Sequence, residues 1–325
     1  MRFSTSIAAV AALITLGANT AHAYGALGHT LTGQIAQQFL TPTTASQISA
    51  ILPASYDGLL SNAAPWADTV RGIKQYSWAT PMHFFNPAND NPPDRCSADY
   101  VYAGQDNVNA ILNMTANLIK FQQTPPTTAA AIKKRQDSLR FFIHFMGDVH
   151  QPLHDSTPLR GGNDAPITWG TTTNNLHHMW DTLIITKDVA DRFNNDDQAY
   201  LDDTVNLAKT HWTDVSTWTY CDPTRNNFQN PWSTTTNSLK TLCPIQWAVD
   251  INALDCSYVW VDYSATRDYS TDYFQTVTGS SSDFLVQKLL ATSGVRMAAV
   301  LNEIYDPSAK APLTKRGLAR LPSEH

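Results

Sequence analysis

Long apolar runs are missing from most of this chain. Beyond residue 23 no stretch approaches the ~20 consecutive apolar residues that a bilayer-spanning helix needs, so no membrane anchor is expected. Charge is scarce as well. Charged residues make up 15% of the chain, and 22 basic against 28 acidic side chains leave a net charge of −6. That balance gives no general attraction to nucleic acid, so any such binding must be local and metal-assisted. Cysteine is limited to four residues, which in a secreted chain point to two disulfides with three pairings open. There is no internal repeat, no low-complexity linker and no clear domain boundary. With 42% hydrophobic residues the chain is an ordinary globular one.

What is present begins with a targeting segment. Arg2 supplies a positive charge, Ile7 to Leu16 an apolar core, and Ala21-His22-Ala23 the small-x-small form of a signal-peptidase site. Residues 1–23 are therefore read as a secretory signal, and the mature chain as starting at Tyr24. Cleavage there would free an α-amine, a possible metal ligand, close to His29. The 302 residues that remain of the 325 suffice for one large domain or two small ones. Asn113-Met114-Thr115 is a glycosylation sequon and predicts an exposed position. Residues 306–325 carry Lys310, Lys315, Arg316 and Arg320 without apolar periodicity and read as a solvated polar tail.

The dominant period is helical. Helices are expected over 29–40, where Pro42 ends the run, and over 43–52, 58–71, 106–121 and 127–149. Others are expected near 174–186, 197–211, 244–257 and 284–305, the last with Gly294 as a point of bending. Between them lie polar stretches at 86–105, 155–173 and 212–242. Loops of that length are usually functional or disordered, and the cysteines in two of them argue for pinning. The reading is a single all-α domain, 24–305, with large ordered loops.

The helix ending in 141–155 carries the chemistry. His144 and Asp148 are four residues apart and share a helix face. Pro152 ends the helix, so His154 can swing back to the same cavity. An isolated His-x-x-x-Asp pair is more often a buried hydrogen bond, but the spacing recurs at His177 and Asp181. Asp68, His83 and His29 lie upstream. Buried ionisable groups of this kind are costly unless paired or bound to metal. One zinc ion takes about four ligands, so the inventory, with the amine of Tyr24, suits more than one ion. His150 and His178 neighbour these residues and are assigned supporting or surface roles.

The motifs Gly-Ala-Leu-Gly-His, Trp-Ala-Asp-x-x-Arg, His-Phe, Asn-Pro-Pro, His-Phe-x-Gly-Asp-x-x-Gln-Pro-Leu-His, Gly-Gly-Asn, Asn-Leu-His-x-x-Trp-Asp and Asn-Glu-Ile follow one another from Tyr24 to about Tyr305. In this the chain resembles the zinc-dependent single-strand-specific nucleases of fungi and plants, which share a helical fold with the bacterial zinc phospholipases C. The resemblance implies three zinc ions. One would be held by Asp68, His83, His144 and Asp148. A second would be held by Tyr24 through its amine and carbonyl, with His29 and a bridging Asp148, and the third by His154, His177 and Asp181. It also implies the disulfides Cys96–Cys256 and Cys221–Cys243. Arg71 would be the phosphate-contacting arginine, Phe84 a platform for a nucleobase, and Asn163 a nucleotide contact. Two positions depart from the pattern. Tyr24 stands where the family usually has tryptophan. Phe85-Asn86 follows Phe84 where the family tends to carry a base-reading aspartate, which makes Asn86 the candidate contact.

The resemblance further implies a secreted endonuclease acting on single-stranded DNA and RNA. A metal-activated water would attack phosphorus, and Asp148 and Arg71 would be central to the reaction. Products would carry 5′-phosphates, and 3′-nucleotides would be dephosphorylated by the same site. Two other readings compete. One is a phospholipase C-like phosphodiesterase on the same scaffold, although that family closes its last site with glutamate and this chain has Asp181. The other is a secreted metal-binding protein with an inert site, against which Arg71 argues.

Overall fold

A computed structural model describes residues 24–96, 104–222, 225 and 239–308. The signal segment and nearly all of the polar tail fall outside them, as do parts of the loops at 86–105 and 212–242. Within the described residues the chain is helical apart from one small hairpin, as the sequence led us to expect.

Four of the helices begin with a side chain that satisfies a free backbone N–H. Thr41 accepts from the N–H of Thr44, Asp106 from Asn109, Thr128 from Ala131 and Asp196 from Ala199. The helix Ala129–Asp148 changes character along its length. Its first half is amphipathic, whereas every residue from Ser138 to Asp148 is buried. The site thus hangs on the buried end of a rigid rod. The C-terminal helix Leu285–Tyr305 is buried on nearly every face, as befits a central helix of the core. It lies along the N-terminal helix Ala26–Phe39, while Asn107–Gln123 packs along Ala129–Asp148.

Several expectations need correction. The helix expected over 58–71 is broken into Leu60–Ala63 and Trp66–Val70, because Pro65 has no N–H to continue the ladder. Residues Lys74–His83 wind as successive 3-10 turns, without a periodic apolar signal to announce them. The stretch 155–173 is far from structureless. It contains a left-handed turn at Leu159 and Arg160, then strand Pro166–Trp169, which pairs antiparallel with Thr172–Asn175. The helix expected over 174–186 extends to Phe193, and its turn Met179–Leu183 is π-helical. Asn113 lies half-buried in mid-helix and Thr115 is fully buried, so the sequon is not at the exposed position expected of it. The disulfides are Cys96–Cys256 and Cys221–Cys243, the pairing implied by the resemblance.

The helix runs unbroken through Gly294, where the missing Cβ lets the neighbouring helix come close. A Cβ there would lie 2.6 Å from Cγ2 of Ile35 and 3.0 Å from the backbone nitrogen of Ala36. Gly294→Ala should therefore cost about 1–3 kcal/mol through overpacking. Ile35→Ala should restore part of that loss when combined with it, because the closest atoms belong to Ile35. Urea unfolding of the single and double variants measures both effects.

Candidate metal centre

The residues singled out in sequence converge in one buried cleft. Three groups have donor atoms close enough to share an ion: His29, Asp68 and His144; His83, His144 and Asp148; and His154, His177 and Asp181. The helix end of Ala129–Asp148 supplies His144 and Asp148. The last 3-10 turn of Lys74–His83 supplies His83, and the short turn Pro152–Asp155 supplies His154. His177 and Asp181 come from the start of the helix after the hairpin. There Asn175 caps the first turn by accepting from the N–H of His178, and the π-helical turn sets Asp181 inward. Such turns are frequent at functional sites.

The separations within the groups fit a metal better than a hydrogen-bond network. Two atoms each ~2.0–2.1 Å from a tetrahedral zinc lie about 3.3 Å apart. His29 Nε2 is 3.3 Å from Asp148 Oδ1, and His83 Nδ1 and His144 Nε2 are 3.1 and 3.4 Å from Asp148 Oδ2. The same two imidazoles lie 3.8 and 3.7 Å from Asp68 Oδ1. In the third group His154 Nε2 is 3.6 Å from Asp181 Oδ1 and His177 Nε2 is 3.3 Å from Oδ2. By contrast, the rear nitrogens of three histidines make short bonds to backbone carbonyls. Nδ1 of His144 is 2.7 Å from the Ala64 oxygen, Nδ1 of His154 is 2.6 Å from the His83 oxygen, and Nδ1 of His177 is 2.6 Å from the Gly161 oxygen. Each Nδ1 thus carries its proton and each Nε2 faces the cleft, with a free lone pair wherever the imidazole is neutral. Buried Nε2 of His29 and His154, Oδ1 of Asp148 and Oδ2 of Asp181 have no hydrogen-bond partner. Orphaned atoms of that kind are costly in a protein interior, and a bound cation would satisfy all four.

The electrostatics agree. Burial strips water from His144 and holds it down to about 3, so it is neutral. Burial also lowers His177. It works against ionisation of Asp148, yet the surrounding imidazoles, His144 first, hold that carboxyl well below the usual carboxylate range. His154 goes the other way. Burial opposes its charge, but the Asp181 carboxylate facing its Nε2 and the field of Asp148 push it up to about 9.

Tyr24 is buried against the centre. Its hydroxyl donates to the backbone oxygen of His150, its ring meets His29 edge-on, and the N–H of Gly25 donates to the backbone oxygen of Asp181 at 2.7 Å. Arg71 stands one turn after Asp68, with Nη1 3.5 Å from Oδ1 and 24% of its side chain exposed. Phe84 is half-buried, between the candidate ligand His83 and Phe85, whose N–H donates to the His154 oxygen. Asn86 is exposed. Asn163 is half-buried and donates to the Arg160 oxygen. The surface role of His178 fits its exposure, whereas His150 is fully buried, accepts from Arg296 and donates to the Met146 oxygen.

Sequence reasoning left two supports unassigned. Gln151 lies fully buried, donates to Asp181 Oδ1 at 2.6 Å and accepts from the N–H of Leu153. Its only signal was its place between Asp148 and Pro152 in the motif. Gly147 is the other. A Cβ there would come 2.6 Å from Nδ1 of His29, so no larger residue leaves that imidazole in place.

Helices arranged to bury imidazole and carboxylate clusters, with a guanidinium at the rim, define a protein compatible with metal binding. The family described as S1/P1 Nuclease matches residues 24–306, and the chain belongs to it. It is 32% identical to Endonuclease 2 of Arabidopsis thaliana over 87% of this chain and 91% of that protein. It is likewise 32% identical to Nuclease S1 of Aspergillus oryzae, over 88% and 93%. Identity to Nuclease P1 of Penicillium citrinum is 31%, over 87% and 98%. Among solved structures, the alpha toxin from Clostridium absonum is similar at a TM-score of 0.40 and 13% identity. That match covers 87% of this chain and 65% of the toxin, and it is too slight to argue from.

Two outcomes are expected. Gln151→Ala should weaken zinc binding by roughly 10–100-fold while circular dichroism stays unchanged; competition with a chromogenic chelator measures it. Without an ion His154 is protonated at neutral pH, and its charge favours the metal-free fold until the pH rises through about 9. An incoming ion must expel that proton. Calorimetry in buffers of different ionisation enthalpy should therefore register about one proton released per ion at this group near pH 7, declining towards zero above pH 9.

Proposed function

We propose that the chain is a secreted zinc-dependent endonuclease that hydrolyses single-stranded DNA and RNA to 5′-phosphorylated products and removes the phosphate of 3′-nucleotides. The observation that carries this reading is the set of donor separations near 3.3 Å, distributed around one buried carboxylate, Asp148, with Arg71 at the rim. Family membership supports the nuclease activity, and the donor chemistry supports the metal. Imidazole and carboxylate in four-coordinate spacing suit zinc; the longer bonds of calcium would spread the ligands further.

The residues that would hold the ions are Asp68, His83, His144 and Asp148 for one and the backbone of Tyr24, His29 and Asp148 for the next. His154, His177 and Asp181 would hold the third. Bound zinc supplies Lewis acidity and makes hydroxide available near neutral pH. The chain's own residues do the rest. Arg71 places a fixed positive charge where phosphoryl oxygens would sit, and its tether to Asp68 keeps the guanidinium aimed at the cleft. Phe84 offers a ring to one base beside the ions. A base must leave its stack to reach that ring, which accounts for preference for single strands. Asn86 and Asn163 would contact base edges. Neutral His144 and His177 keep their lone pairs for the ions rather than for protons.

The secretory leader, the two disulfides and the lack, among the described residues, of any helix able to cross a membrane support an extracellular destination. The zinc-loaded protein, processed after Ala23, should cut single-stranded DNA and RNA, lose activity in EDTA and regain it with zinc. Asp148→Asn should be nearly inactive while remaining folded. Intact nucleic acid and intact 3′-nucleotides after incubation with zinc-loaded protein would overturn the proposal.

A further inference from the structure

On the far side of Arg71 the 3-10 turns Lys74–His83 carry Trp78, which is 40% exposed, and the preceding turn carries Ile73, which is 49% exposed. Large apolar side chains this open are few among the described residues. Both belong to the segment that joins two presumed metal ligands, Asp68 and His83.

Trp78 is firmly held from beneath. Its ring lies 4.9 Å from Phe141, which stacks on Phe145 at 5.5 Å, and Phe145 meets the ring of His83 at 5.2 Å. Trp66 and Tyr76 pack edge-on against Phe141 from the side, and the Arg140 guanidinium covers Trp66 at 3.6 Å. The indole is thereby held, through a tilted contact with Phe141, by a chain of aromatic rings that runs to His83, while 40% of the residue meets solvent.

The surroundings are basic, in a chain whose net charge is −6. Arg71 and exposed Lys74 flank the patch, and Lys133 sits over the Tyr76 ring at 4.9 Å. Of these, Arg71 leans on Asp68 and Lys133 on Asp137. At the 3-10 rise of ~2.0 Å per residue, Trp78 is about 10 Å along the chain from His83. Arg71 and Trp78 lie seven residues apart on the same segment, so a strand whose phosphate lies at Arg71 would have the indole within reach of a neighbouring base. A rigid aromatic face beside a line of cations is how proteins hold single-stranded nucleic acid without reading its sequence.

We infer that Trp78, with Ile73 beside it and Arg71 and Lys74 along its edge, is an outer stacking platform for a second base of the strand, separate from the base at Phe84. The inference rests on the nuclease reading. It makes Trp78 a binding residue for polymers and irrelevant to mononucleotides, which would fill only the metal-proximal position.

The test compares holoenzymes of wild type, Trp78→Ala and Trp78→Phe on a single-stranded oligothymidylate and on a 3′-mononucleotide. Affinity for a fluorescent phosphorothioate oligothymidylate is measured alongside by anisotropy. Losing one base–aromatic stack should weaken oligonucleotide binding by roughly five- to 150-fold. That loss should appear in KM rather than kcat, leave the mononucleotide within twofold, and be largely recovered in Trp78→Phe. Equal losses on both substrates would mean that Trp78 only braces Phe141 and His83, and would overturn the inference, as would unchanged oligonucleotide binding. If wild type cut neither substrate, the nuclease reading would fail by itself. The anisotropy comparison would still decide whether Trp78 holds a base.

Discussion

A carboxylate with no water around it sets the terms for this molecule. Asp148 is fully buried and closes a helix, so the dipole of Ala129–Asp148 adds negative potential where a negative charge already sits. An ion left alone there would be intolerable. The chain answers by aiming imidazoles at it from three other segments. His29 faces Oδ1, His83 and His144 face Oδ2, and His154 stands 3.9 Å from Oδ1. His144 is neutral, however, and imidazoles alone leave orphaned lone pairs. The clusters are of a kind that cations would complete, so the proposed metal and the fold are one problem here.

Much of the fold is an outer layer for those imidazoles. The break at Pro65 leaves the Ala64 carbonyl to accept from His144, the 3-10 turns place the His83 carbonyl against His154, and the left-handed turn at Leu159 and Arg160 brings the Gly161 carbonyl to His177. Each irregularity of the backbone thus fixes the tautomer of one ligand. Non-glycine residues in left-handed conformation are costly and gather at functional sites, and this turn fits that pattern. Gln151 performs the same service for Asp181, and His150 with Arg296 for the Tyr24 side.

The sequence was most legible where one residue type repeats at a fixed period. His144 with Asp148 and His177 with Asp181 share helix faces because spacing of four forces them to, and the ligand inventory could be written down before any coordinates. The long helices were equally visible, except where a residue's reason lay elsewhere in space. Gly294 looked like a bend, but its true neighbour is Ile35, hundreds of positions away in sequence. The helix over 58–71 was drawn through Pro65, whose effect on the ladder outweighed the apolar spacing of Trp66 and Val70. Gln151 was invisible because an amide that orients a carboxylate has no periodicity. The exposure of Trp78 is hidden in the sequence, since exposure cannot be read from residue type. The sequon at Asn113 misled for the same reason: the motif says nothing about which side of a helix it occupies.

The central claim is that this cleft holds three zinc ions, two of them sharing Asp148. The most direct measurement is anomalous diffraction on either side of the zinc edge, from a crystal of the protein processed after Ala23. The account predicts three peaks: one among Asp68, His83, His144 and Asp148, one between His29, Asp148 and the amine of Tyr24, and one among His154, His177 and Asp181. A single peak, or none where Asp148 faces His29, would contradict it.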